Sequence, residues 1–188
     1  MKYTKAEARH FYWHCVTAAL LIENLENNTA ANAHVTRAIR MATLTAAGKD
    51  GVHFASRGAH DRRPSPASDW AGLGLIKEHV VPVSVIALEV REVHRAGTKY
   101  VWRQLVHGLT QHDLENWQVI DSDEFLEQEA PLSALVAFIV RRSTKLAWIT
   151  KEENTRLSRQ GLTKVMPLDH GDDLLARYKA CKIELIEL

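Results

Sequence analysis

Only two cysteines occur in the 188 residues, Cys15 and Cys181, far apart and with no Cys-x-x-Cys. That scarcity argues against a structural zinc centre and against a disulfide scaffold, and it fits a reducing cytoplasm. The chain also lacks any run of about 18 apolar residues, the length that spans a bilayer. Its opening stretch, MKYTKAEARHFYWHC, carries charges and histidines where a signal peptide needs an apolar core, so a soluble protein is expected. Charge of one sign is lacking too. A formal net charge of +1 neither demands nor excludes a nucleic-acid partner, so local clustering has to decide. Low-complexity tracts and internal repeats are missing as well. What remains is ordinary globular composition, 46% hydrophobic and 25% charged, enough for one domain with a real core.

Helical spacing of Ala8, Phe11, Tyr12, Cys15, Ala18, Ala19 and Ile22 predicts an amphipathic helix over 4–26. Thr29 can cap a second helix reaching about Ala46, so 1–47 reads as a helical hairpin that forms core or a dimer face. Residues 48–72, rich in Gly, Pro, Ser and Arg, read as a long loop. Short strands are expected at 73–79 and 145–150. Between them lie helical patterns: one opened by Pro82-Val83-Ser84, with Ser84 as cap, then TKYVWRQLVHGL, an acidic run over 121–129, and PLSALVAFIVRR with Pro131 in its first turn. KEENTRLSRQG is a helix ended by Gly161, and residues 171–188 give a last helix and a tail that alternates, KIELIEL. The fold class is therefore α+β, mostly helical, within one compact domain.

The pattern that carries chemistry is GLIKEHVVPVS, residues 74–84. An acid and a histidine, Glu78 and His79, sit inside an otherwise apolar strand that Pro82 closes. Histidine is suited to take a proton from water near neutral pH, and a carboxylate is a hard oxygen ligand for Mg²⁺ or Mn²⁺. Together they suit metal-assisted attack of water on phosphorus. At a strand end before a Pro turn, both side chains can reach one cleft. A further oxygen ligand is available on ITKEENTRL, where Asn154 sits in a helix that directly follows a strand. The competing interpretation makes His79 a core histidine and Glu78 an edge residue.

EHVVPVS resembles the first motif of HNH (His-Me finger, ββα-metal) nucleases, and WITKEENTRLSRQG resembles their closing strand–helix motif. The resemblance implies a metal-dependent endonuclease with His79 as general base and Glu78 and Asn154 as ligands of one Mg²⁺ or Mn²⁺. Glu153 is an alternative ligand. It implies DNA as partner, with a homodimer in view, and a setting in bacterial or phage defence. Glu stands where the family more often has Asp. The two motifs are far apart, so an HNH-like core over 73–170 must carry a helical insertion, 85–144. The Asn usually found between the family's strands has Asn116 as its candidate. Arg57, Arg62 and Arg63 precede the first motif; Arg142, Lys145 and Lys151 flank the second, and Arg156 and Arg159 follow it. Basic groups in that arrangement give phosphate affinity. His170, within PLDHGDD, lies beyond the helix that should carry the last ligand. The expected alternative function is a non-catalytic helical DNA-binding, regulatory or assembly protein with an HNH-like fold.

Overall fold

A computed structural model describes residues 4–24, 29–47, 51–63, 65, 70–109, 114–115 and 122–188. Asn116 lies outside the described residues. The chain divides into two compact units, Met1–Gly48 with Ile86–Ser143, and Lys49–Val85 with Thr144–Leu188. The fold is α+β, mostly helical, with one small mixed sheet.

The first unit is helical. Helices α1 (Lys5–Asn24) and α2 (Thr29–Ala47) pack along each other. The positions read as apolar in α1 are those it buries, from Ala8 and Phe11 to Ile22, because a 3.6-residue period brings them onto one stripe. Helix α7 (Leu132–Ser143) packs against both. It buries Ala134, Val136, Ala137 and Val140 as well as Leu135 and Ile139, so its apolar surface is wider than a stripe. Arg141 stacks its guanidinium over Phe11, 4.3 Å from the ring centre. The acidic run yields only a short helix, α6 (Asp123–Leu126), capped by Ser122, and Trp102 of α5 (Trp102–Leu105) packs on Phe125.

The second unit holds the sheet, in the order β2–β3–β1–β4. Strand β2 (Ile76–His79) runs antiparallel to β3 (Leu146–Ile149), which is parallel to β1 (Phe54–Ser56); β1 is antiparallel to β4 (Leu185–Glu187). Helix α8 (Lys151–Arg159) starts two residues after β3, and α9 (Ala176–Ala180) precedes β4. Leu157 of α8 and Tyr178 of α9, with Val80, Cys181 and Ile183, cover the sheet face that carries Ala147 and Ile149. Helix α4 (Val83–Arg95) starts in this unit and continues into the first.

Three sequence expectations change here. The stretch 48–72, read wholly as loop, contains β1 and the short helix α3 (Arg57–Asp61). A three-residue strand has no detectable period; Phe54–Ser56 is a strand because partners hydrogen-bond it on both sides. The alternating tail becomes β4 on its outer edge. Ser84 does not cap α4: its hydroxyl donates to the Lys164 carbonyl, tying the helix start to the turn after α8. Gly161 does end α8, with a φ of 72° that favours glycine.

Candidate functional site

The register of the sheet decides which side chains can meet. Directly paired residues leave a sheet on the same face, and successive residues on opposite faces. Glu78 pairs with Ala147 and His79 with Leu146, and the ladder runs on regularly, since the Val80 N–H donates to the Lys145 carbonyl at 2.8 Å. Glu78 therefore shares the face of Ala147, Ile149 and the buried Val80, which α8 and α9 cover. His79 leaves on the other face, with Leu146. No bulge at the strand end turns acid and histidine into one cleft, as the sequence pattern had suggested, because pairing persists one residue past His79.

Glu78 has a partner that sequence reasoning did not point to. Arg177 of α9 is fully buried, and its Nη2 donates to Glu78 Oε1 at 2.8 Å. The rest of the guanidinium is spent on backbone. Nε donates to the Val80 carbonyl (2.9 Å), Nη1 to the carbonyls of Leu162 (3.0 Å) and Thr163 (3.4 Å), and Nη2 also to the His79 carbonyl. Nη2 lies 3.2 Å from the Tyr178 hydroxyl as well. Burial pushes the Tyr178 hydroxyl far above the ordinary tyrosine range, so it stays protonated. A buried cation needs this many acceptors, because desolvation otherwise outweighs its single ion pair. A signal for it was present: Arg177 falls at helical spacing among Leu174, Tyr178 and Cys181, where an apolar residue is expected.

Glu153 is also committed. Thr150 caps α8 by accepting from the Glu153 N–H (3.1 Å), and Glu153 Oε2 accepts from the Thr150 N–H (2.8 Å), a complete capping box. The same oxygen accepts from the Ser56 hydroxyl, whose oxygen in turn caps α3 by accepting from the Ala59 N–H at 3.0 Å. One buried carboxylate thus joins the start of α8 to the end of β1. Its other oxygen lies 3.8 Å from Arg156. Gly58 passes so close that a Cβ there would come 3.0 Å from Glu153 Oε1. Asn154, the next residue, is half-buried, and its N–H continues the helix from the Thr150 carbonyl.

On the face that carries His79, the neighbour across Leu146 is His53, a residue the sequence pattern left aside. The Leu146 N–H approaches His53 Nδ1 at 3.4 Å, and the His53 carbonyl accepts from Leu188. Burial, with Lys145 second, lowers the His53 pKa below its ordinary value. Comparison with protein-family models, curated proteins and solved structures found no match to this chain.

The basic residues divide. Arg57 pairs with Glu184 at 2.8 Å and Arg62 with Glu152 at 2.9 Å, both exposed. Arg142 belongs to the first unit, where it pairs with Glu89. Arg156 also approaches the carbonyls of Cys181 and Lys182, and Arg63 stacks over Trp70 at 4.6 Å. Lys145, Lys151 and Arg159 have no carboxylate partner among the described residues. Exposed pairs are weak enough to exchange for phosphate at little cost. Among the described residues no three His, Cys, Asp or Glu side chains cluster as a metal set, and no helix is long and apolar enough to cross a membrane. His170 anchors locally, Nδ1 to the Pro167 carbonyl at 2.8 Å.

Proposed function

We propose that the second unit is an HNH-type finger and that the protein hydrolyses DNA phosphodiester bonds in a metal-dependent reaction. The observation that carries this reading is the order β2, helical segment, β3, α8. Motifs separated by residues 85–144 become hydrogen-bonded neighbours, Glu78 opposite Ala147 and His79 opposite Leu146, and the helix bearing Asn154 follows at once.

The donor chemistry narrows the ligand set. Glu153 is less suited as a metal ligand, because it is buried, its Oε2 already accepts from Ser56 and Thr150, and its Oε1 faces Arg156. Glu78, with Oε1 on Arg177, and Asn154 are the oxygen donors that fit one Mg²⁺ or Mn²⁺. Such an ion, when bound, supplies Lewis-acid stabilisation of charge on the leaving oxygen. His79 takes the proton from water, on a backbone that Arg177 holds through the His79 and Val80 carbonyls. The reading makes one structural demand: the end of β2 must turn so that His79 reaches the face of Glu78 when substrate binds.

A second reading rests on that same demand. With His79 and α8 on opposite faces and both acids engaged, the unit is a non-catalytic finger in a DNA-binding, regulatory or assembly protein. Nicking of supercoiled plasmid with Mg²⁺ or Mn²⁺ separates the two. Under the nuclease reading the protein nicks, and His79→Ala and Asn154→Ala do not. Absence of metal-dependent nicking, or equal nicking by His79→Ala, refutes it; retained salt-sensitive DNA binding without nicking then favours the second reading.

A further inference from the structure

The first unit has a cleft where α4 meets the α1–α2 pair. Its apolar floor is Leu21, Ala31 and Val35, and its polar wall is Asn32, Arg91, His94 and Arg95. No acidic residue lines it among the described residues.

Arg91 is half-buried there, and its Nη1 donates to Asn32 Oδ1 at 2.8 Å. An amide oxygen orients the guanidinium but cancels none of its charge. Burial, with the charge of Arg95 one turn further along α4 second, pulls the Arg91 pKa below its ordinary value. Two arginines thus line one cleft, and the Asn32 amide holds the half-buried one. Cations in the last turn of a helix suit its dipole, which accounts for Arg95 taken alone. The dipole does not account for Arg91, a turn earlier, spending a partly desolvated charge on a neutral partner, an arrangement that costs free energy unless an anion completes it.

We infer that this cleft binds a phosphate group, held by Arg91 and Arg95 with the Asn32 side-chain N–H donors beside them. Two planar forks of donors match a tetrahedral dianion, which can accept from both and neutralise both. The enclosed room is only about 10 Å³, space for one water-sized atom group, so a ligand enters with its oxygens and keeps its body outside. That geometry suits a phosphate carried on a larger molecule. The inference concerns the first unit alone and stands whether or not the second unit cleaves DNA.

The test is titration of the ¹⁵N-labelled full chain while following the arginine Nε–H signals by NMR. Inorganic phosphate should shift Arg91 and Arg95 saturably, and sodium chloride at equal ionic strength should not. Arg95→Gln, at an exposed position, should fold with a melting temperature lowered by no more than the small helix-dipole effect of one exposed charge, and lose affinity about tenfold, as expected for one charge-assisted contact. Arg91→Gln should lose at least as much. Adenosine monophosphate and a short DNA duplex serve as the two sources. Preference for the mononucleotide marks a free-ligand site; preference for the duplex, with a salt slope reduced in both variants, marks a backbone contact. No shift beyond the chloride control, equal binding by Arg95→Gln, or acetate binding as tightly as phosphate would each overturn the inference.

Discussion

Arg177 should be the residue on which the second unit most depends. Its side chain is fully buried, and Arg177→Met removes donors from the carbonyls of His79, Val80, Leu162 and Thr163 and the counter-ion of Glu78. A buried acceptor stripped of its donor costs ~1–3 kcal/mol, and Val80 is wholly buried, so at least that one is paid in full. Breaking a buried pair costs ~3–5 kcal/mol, but the Glu78 side chain is 21% exposed and water can relieve part of its charge. A total near 3–5 kcal/mol follows, a large share of the ~5–15 kcal/mol that holds a typical protein folded. Glu78→Gln is milder, since the amide oxygen still accepts from Nη2, though without charge; about 1–2 kcal/mol is expected. Urea denaturation followed by tryptophan fluorescence measures both, and the double variant closes a cycle. A coupling energy below ~0.5 kcal/mol, or an Arg177→Met midpoint equal to wild type, would refute the argument that this pair pins β2 to α9. The same variants bear on the metal: if Glu78 also holds Mg²⁺, the ion should raise the melting temperature of wild type and not of Glu78→Gln.

Glu153→Ala should destabilise by ~1–3 kcal/mol, because it removes the capping box and orphans the Ser56 hydroxyl together; thermal melting checks it, and Gly58→Ala, which crowds Glu153 Oε1, should move in the same direction. Gly108→Ala should cost ~1–3 kcal/mol, since the new methyl would overlap the Phe138 ring, and Phe138→Leu in the same chain should recover part of that loss. His53 has a folded pKa below its ordinary 6.5, chiefly through burial, so as pH falls below that value the unfolded chain takes up the proton first. Stability should therefore drop on acidification below about pH 6.5 and the drop should shrink in His53→Gln; His14, lowered by burial in the same way, leaves a residual slope. An unchanged acid limb in His53→Gln would contradict the half-buried, neutral assignment.

The long helices were legible because each repeats a pattern. Phe11, Cys15, Ala18 and Ile22 keep a helical period over about three turns, and the two strand candidates were marked by apolar runs of the right length. The parts that escaped are those whose order comes from elsewhere in the chain. Strand β1 has three residues and exists through β3 and β4; β4 looks like a tail until β1 is known.

The Glu78–His79 pair stands out in the sequence for the same reason that the fold separates it. Adjacency in GLIKEHVVPVS showed that Glu78 and His79 are unusual, yet adjacency on a strand is what separates them, and only the register with β3 shows that pairing continues through Val80. An acid in an apolar strand suggests a metal ligand, and the cation that the structure places on it is the guanidinium of Arg177, 99 residues further along the chain. A carboxylate in such a place needs a positive partner of some kind, and sequence distance hides which kind it has. Any chemistry at His79 must then work around that pair: Arg177 holds the carbonyls of His79 and Val80, so moving His79 toward α8 means disturbing hydrogen bonds to a buried charge. Under the proposed nuclease reading, substrate binding would have to offset that loss, so weakening the Arg177 contacts should ease the turn that His79 needs.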